Sequence, residues 1–133
     1  MAGKKKNKKK TTKTAGGGAK RRGRRKAAGP HHNVYVVLLD NEVLTHERFR
    51  NENPGRDPLK PCLYVGMTGK TPVERFRNHQ LGYKSNPYVY KYGVRLLPGK
   101  FEHLNPMTYE EAVEEEKRLA DRLRTEGYAV WQK

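Results

Sequence analysis

Residues 62–79 read CLYVGMTGKTPVERFRNH, and two kinds of order meet within them. Cys62 to Met67 is a short, largely apolar run of strand length, bounded by Gly69. Four residues later Thr71 stands where a helix N-cap belongs, Pro72 suits the first helical position, and Glu74 completes the S/T-x-x-E spacing of a capping box. The spacing therefore predicts a strand over 62–67 that feeds a helix over 72–80. Working back toward the N-terminus, Val34 to Leu39 is apolar and valine-rich and reads as a central strand. Between the two strands Asp40 to Pro61 is polar, with Pro54, Gly55, Asp57, Pro58 and Pro61, and is expected to be a long loop carrying at most a short helix near residues 43–50. Working forward, Gly82, Ser85, Asn86 and Pro87 break the chain, and Gly93 to Leu97 fits a short third strand turned by Pro98 and Gly99. Thr108 and Glu111 repeat the capping-box spacing, and Gly127 supplies a left-handed stop, so a long helix is expected over 109–126. Tyr128 to Trp131 closes the pattern as a short edge strand or a packing tail. Strands interleaved with helices make this an α+β domain.

The 133 residues fit one domain with a small core. Their net charge of +15 is unevenly placed. Of the 29 Lys and Arg, thirteen fall in residues 1–29 with no acid among them, leaving sixteen against fourteen Asp and Glu from residue 30 onward. The body of the chain is therefore almost neutral. Residues 1–29 hold Gly16, Gly17 and Gly18 between lysine blocks and no large apolar side chain after Met1, so they cannot bury enough surface to offset chain entropy. They read as a disordered basic arm that binds phosphate backbones without sequence preference; a solubilising tail or ribosome-like extension has the same composition. No apolar stretch follows the basic residues as a secretory signal requires, and none is long enough to span a bilayer, so an intracellular place, cytoplasmic or nucleoid-associated, is expected. The single cysteine, Cys62, sits in a strand-like run and suggests packing in a reduced compartment.

Five polar residues interrupt otherwise apolar elements. Of the glutamates in TYEEAVEEEKR, Glu110, Glu111 and Glu114 fit a solvated helix face, whereas Glu116 lies four residues from Ala112 and three from Leu119, in the middle of a stripe completed by Ala120 and Leu123. A carboxylate there needs a partner. A hard cation that keeps part of its hydration shell, Mg²⁺ or Mn²⁺, would serve; so would an arginine at the sheet edge. Arg75 and His79, four apart, share one face of the predicted helix with Phe76 nearby, and an arginine so placed can clamp a phosphate and offset transition-state charge. A surface pair would show the same spacing. Arg77 falls on another face. Tyr35 shares a strand face with Val37 and Leu39, and Tyr64 with Cys62; both suit ordinary sheet aromatics, or phenols that orient or deprotonate water beside positive charge. Gly66 after Tyr64 allows close approach of backbone or substrate.

Tyr35 in NVY, Tyr64 in YVG, Arg75 and His79 in RFRNH, and Glu116 four residues after Ala112 together resemble the GIY-YIG nuclease superfamily, over nearly all of residues 33–131. The resemblance implies a small three-stranded antiparallel sheet flanked by helices, one divalent cation, Mg²⁺ or Mn²⁺, and hydrolysis of phosphodiester bonds in DNA, less often in other substrates. It implies that Tyr35 is the general base or a water-orienting phenol, that Tyr64 hydrogen-bonds the water or scissile phosphate, that Arg75 stabilises phosphoryl charge, that His79 assists proton transfer, and that Glu116 is the metal ligand. The chain departs from the family pattern in three places. The first motif, Asn33-Val34-Tyr35, lacks the glycine and isoleucine; the segment between the tyrosines is longer than the usual hairpin; and GYAVWQK stands where some members place an asparagine after the metal helix. A second function class fits the same residues, a non-catalytic RNA- or ribosome-binding protein that keeps the fold. Its binding would survive loss of Glu116 but not of residues 1–29. In either case nucleic acid is the expected partner, DNA ahead of RNA, and no membrane.

Overall fold

The computed structural model describes residues 29–132, and the basic arm expected over residues 1–29 lies, but for Gly29, outside the described residues. From His32 onward the chain runs β1 (Asn33–Leu39), α1 (Glu47–Asn51), β2 (Cys62–Thr68), α2 (Pro72–Leu81), α3 (Pro87–Tyr92), β3 (Gly93–Leu96), α4 (Tyr109–Thr125) and β4 (Ala129–Gln132). The architecture is α+β, with a sheet in the order β3-β1-β2-β4. β1 pairs antiparallel with β2 from Asn33↔Thr68 to Leu39↔Cys62, and antiparallel with β3 on its other side.

The fourth strand corrects the three-stranded antiparallel sheet expected from the resemblance. Residues 129–132 pair parallel to β2, Cys62↔Ala129 through Val65↔Gln132, so the sheet is mixed and has four strands. The cause is the outer edge of β2: Cys62 to Val65 are all buried, and without β4 their outward backbone groups would be shielded from water and unpaired. Gly127, at a φ of 104°, turns the chain out of α4 and aims it along that edge.

Both capping boxes form. Thr71 Oγ1 accepts from the Glu74 N–H at 3.1 Å while Glu74 Oε1 accepts from the Thr71 N–H at 3.1 Å; Thr108 and Glu111 do the same at 3.1 and 2.9 Å. The Ser85-Asn86-Pro87 break is the start of a further helix, α3, in which Asn86 Oδ1 accepts from the Tyr88 N–H at 2.9 Å and Pro87 takes the first position. At six residues α3 is too short for a periodic apolar stripe to announce it.

Two asparagines stand in for missing strands. Beyond the end of β3, Asn105 grips the Val34 backbone, accepting from its N–H at 2.9 Å and donating to its carbonyl at 2.8 Å. On the opposite edge the buried Asn53 accepts from the Val130 N–H at 2.7 Å and donates to the Val130 carbonyl at 3.0 Å. Both sheet edges are thereby satisfied where neighbouring strands end.

Val34, Tyr35, Val36 and Val37 are all buried, so β1 is covered on both faces. α4 lies against β4, β2 and β1, and α2 and α3 lie against β1 and β3. Since Trp131 is in register with Tyr64, the next residue, Gln132, points to the other face, where it meets α4. β4 stops pairing at Val65, so Gly66 to Thr68 run on past it. The layer of α2 and α3 and the layer of α4 can both reach this overhang. No helix among the described residues is long and apolar enough to cross a membrane.

Candidate active site

A cavity of about 990 Å³ is lined by Tyr35, Tyr64, Arg75 and Glu116 together. Four of the five residues singled out from the sequence thus converge on one concave surface, and the fifth, His79, is fully buried behind Tyr35.

The two phenols owe their proximity to register. Val37 pairs with Tyr64 and Tyr35 pairs with Gly66, so Tyr35 and Tyr64 sit diagonally on one face, ring centroids 6.0 Å apart. Gly66 makes this possible. A Cβ there would fall 2.7 Å from Tyr35 Cζ and Oη and 2.8 Å from Tyr64 Cε2. The sequence suggests close approach of backbone or substrate at Gly66; the atoms nearest it are instead those of these two rings.

Tyr35 Oη lies 2.8 Å from His79 Nε2, and His79 Nδ1 accepts from the Asn86 backbone N–H at 3.1 Å. The second bond fixes the tautomer: with Nδ1 accepting, the neutral imidazole carries its proton on Nε2 and donates it to the Tyr35 oxygen. Burial, and then the nearby Arg75 charge, push the His79 pKa down to about 4. His79 is accordingly a neutral donor that orients Tyr35 and disposes its oxygen toward negative charge, and its one basic nitrogen is occupied by backbone. The resemblance implies that His79 assists proton transfer, and in this geometry the proton it holds is the one on Nε2, facing Tyr35.

Burial also decides the state of the phenols. It pushes the Tyr35 pKa far above the ordinary tyrosine value, reinforced by Tyr64 and only partly offset by Arg75; Tyr64 is pushed up to about 12 by burial and then by the Glu116 charge, again against Arg75. The positive charge expected to favour phenolate is outweighed by desolvation. Of the two, Tyr64 is the easier to ionise.

Arg75, on the first turns of α2, is held from behind by two backbone carbonyls, donating from Nη2 to Lys84 at 2.8 Å and from Nη1 to Tyr83 at 3.4 Å. Lys84 adopts a left-handed φ of 48° to present its carbonyl. A guanidinium has five N–H donors, so this tethering leaves capacity for an anion in the cavity.

Glu116 comes from the buried stripe of α4, beside Ala112, Leu119, Ala120 and Leu123, as helical phase predicts. It is 8% exposed and accepts from Gln132 Nε2 at 3.0 Å. No local sequence signal marks Gln132, a lone polar residue at the end of a short strand. It places a carboxamide beside the carboxylate from the segment after α4, the region where no asparagine equivalent is legible in the sequence. Among the described residues no three His, Cys, Asp or Glu side chains gather as a metal-binding group. A single carboxylate in the cavity wall suits a cation that retains most of its water and takes further oxygens from a phosphate, as Mg²⁺ and Mn²⁺ do, and does not suit zinc.

Comparison with protein-family models, with curated proteins and with solved structures finds no match for this chain.

Proposed function

We propose that this protein hydrolyses phosphodiester bonds in nucleic acid in the manner of a GIY-YIG nuclease, with one Mg²⁺ or Mn²⁺ held at Glu116. The observation that carries the reading is the convergence of two phenols, a tethered arginine and one buried carboxylate on a single cavity, with a neutral histidine oriented on the first phenol. Arg75 binds the non-bridging oxygens of the scissile phosphate and offsets the charge that grows on them. Tyr35, steadied by His79, orients the attacking water, and Tyr64, the more acidic phenol, hydrogen-bonds the water or the phosphate. Gln132 fixes the rotamer of Glu116. A bound divalent cation would add Lewis-acid stabilisation of the phosphate.

The test is cleavage of supercoiled plasmid and labelled RNA in Mg²⁺ or Mn²⁺ by wild type, Glu116→Ala and Arg75→Ala. Each substitution is expected to lower the rate by about 10²- to 10³-fold, the usual loss when a charge-stabilising group is removed, and to leave salt-sensitive binding intact. Equal nicking by all three proteins would overturn the proposal. Binding with no metal-dependent cleavage by wild type would favour the non-catalytic nucleic-acid-binding reading instead.

A further inference from the structure

The cavity extends beyond the phosphate-handling residues to a second wall formed by Trp131, Tyr88, His46 and Arg48, which the hydrolytic chemistry does not use. Trp131 is the register partner of Tyr64, so it lies one strand spacing from the second phenol and on the same face. Phe49, fully buried, backs the indole with ring centroids 6.3 Å apart and planes 19° from parallel. Tyr88 meets the indole edge-on at 4.9 Å, and the Arg48 guanidinium stands over it at 5.8 Å from the ring centroid. Trp131 and Tyr88 are only half-buried, while Arg48 and Lys84 are exposed at the cavity.

A rigid, half-open aromatic corner with cations beside it, next to a phosphate site, has the composition of a base-stacking platform. His46 is fixed by a 2.7 Å contact between its Nε2 and Tyr92 Oη, so that nitrogen is not available to read a base edge. Every base has a π-face, so such a corner tolerates sequence.

We propose that the Trp131–Tyr88 corner seats an unpaired nucleobase beside the phosphate bound at Arg75, which makes the substrate a nucleic acid with a single-stranded or extruded nucleotide at the cut. The assignment rests on the reading that this cavity takes nucleic acid. A base within an intact duplex has both faces stacked and cannot present one to an indole in a cavity, so fully paired DNA would bind elsewhere on the protein without touching it.

Trp131 is the chain's only tryptophan, so its fluorescence reports this corner directly. The full chain in EDTA is titrated with fluorescein-labelled oligothymidylate, with a strand of equal length made of abasic deoxyribose phosphate, and with a blunt duplex, binding being followed by anisotropy and stacking by Trp131 emission. Oligothymidylate is expected to quench Trp131 and to bind about tenfold more tightly than the abasic strand, the worth of a stacked base; the abasic strand and the duplex are expected to bind without quenching. In Arg48→Ala, an exposed change that leaves the indole packed on Phe49 and clears the guanidinium from over it, oligothymidylate is expected still to quench Trp131. Equal quenching by the base-bearing and abasic strands, or saturated oligothymidylate binding with unchanged Trp131 emission, would overturn the assignment. Because no metal is present, these outcomes are independent of whether the protein cleaves.

Discussion

Gly66 shows how little room the phenols have. With a methyl group there placed 2.7 Å from Tyr35 Oη, Gly66→Ala must push the phenol off His79 or bend β2, and it is expected to cost about 1–3 kcal/mol in chemical denaturation, as overpacking does. Gly55→Ala, where nothing lies within 4 Å of the added carbon, is the matched control and should change stability little. His79 offers a second test, by pH. Its folded-state pKa, about 4, lies below the ordinary 6.5, so the unfolded chain binds the proton first. Its contribution to stability is therefore complete above pH 6.5 and is lost as pH falls from there toward 4. His79→Gln is expected to flatten the difference in urea midpoint between pH 7 and pH 4.5 relative to wild type. A variant with an unchanged slope would show that His79 does not titrate as its burial requires. Glu116 was legible from the sequence because a carboxylate at a stripe position contradicts helical phase, and phase depends only on spacing. The role of His79 was not, because it depends on an amide proton from Asn86, in the turn after α2, which no spacing rule ties to an imidazole.

At the scale of elements, the parts that depend on local spacing were readable and the parts that depend on pairing were not. The two capping boxes and the Gly127 stop locate α2 and α4 because each signal lies within a few residues of what it ends or begins. α3 escaped because one helical turn and a half shows no period, although Asn86-Pro87 repeats the cap-then-proline order of Thr71-Pro72. β4 was recognisable as a possible edge strand, but its parallel direction is set by β2, more than sixty residues earlier in the chain. Asn53 makes the same point, since a polar residue in a loop gives no sign that it will be buried against an edge strand. Asn53→Ala removes the acceptor of the buried Val130 N–H, while the Val130 carbonyl keeps its bond from Arg124 Nη2 at 3.1 Å; leaving that N–H unpaired is expected to cost about 1–3 kcal/mol. Because β4 carries both Trp131 and Gln132, that variant should also loosen the cavity wall, seen as a change in Trp131 emission. Unaltered stability and emission would mean that β4 holds its place without the asparagine.

For the whole molecule, charge and chemistry are divided along the chain. The cavity gathers a few cations around one carboxylate, whereas thirteen Lys and Arg stand within residues 1–29. If the arm provides nonspecific affinity and the domain provides the chemistry, the two should separate under salt. Each phosphate neutralised on a duplex adds about −0.9 to the slope of log K against log salt concentration. Deleting residues 1–29 is expected to weaken binding at low salt and to flatten that slope by several units. The rate at saturating substrate should stay within about twofold, a change of under 0.5 kcal/mol in the barrier. Binding measured by anisotropy across a salt series, beside single-turnover cleavage with enzyme in excess, distinguishes the two effects. A truncated protein that binds as tightly and as salt-sensitively as the full chain would move the electrostatic footprint onto the domain, to Arg48, Arg75 and Lys84 around the cavity. One that binds normally but no longer cleaves at saturation would show instead that the arm takes part in assembling the site.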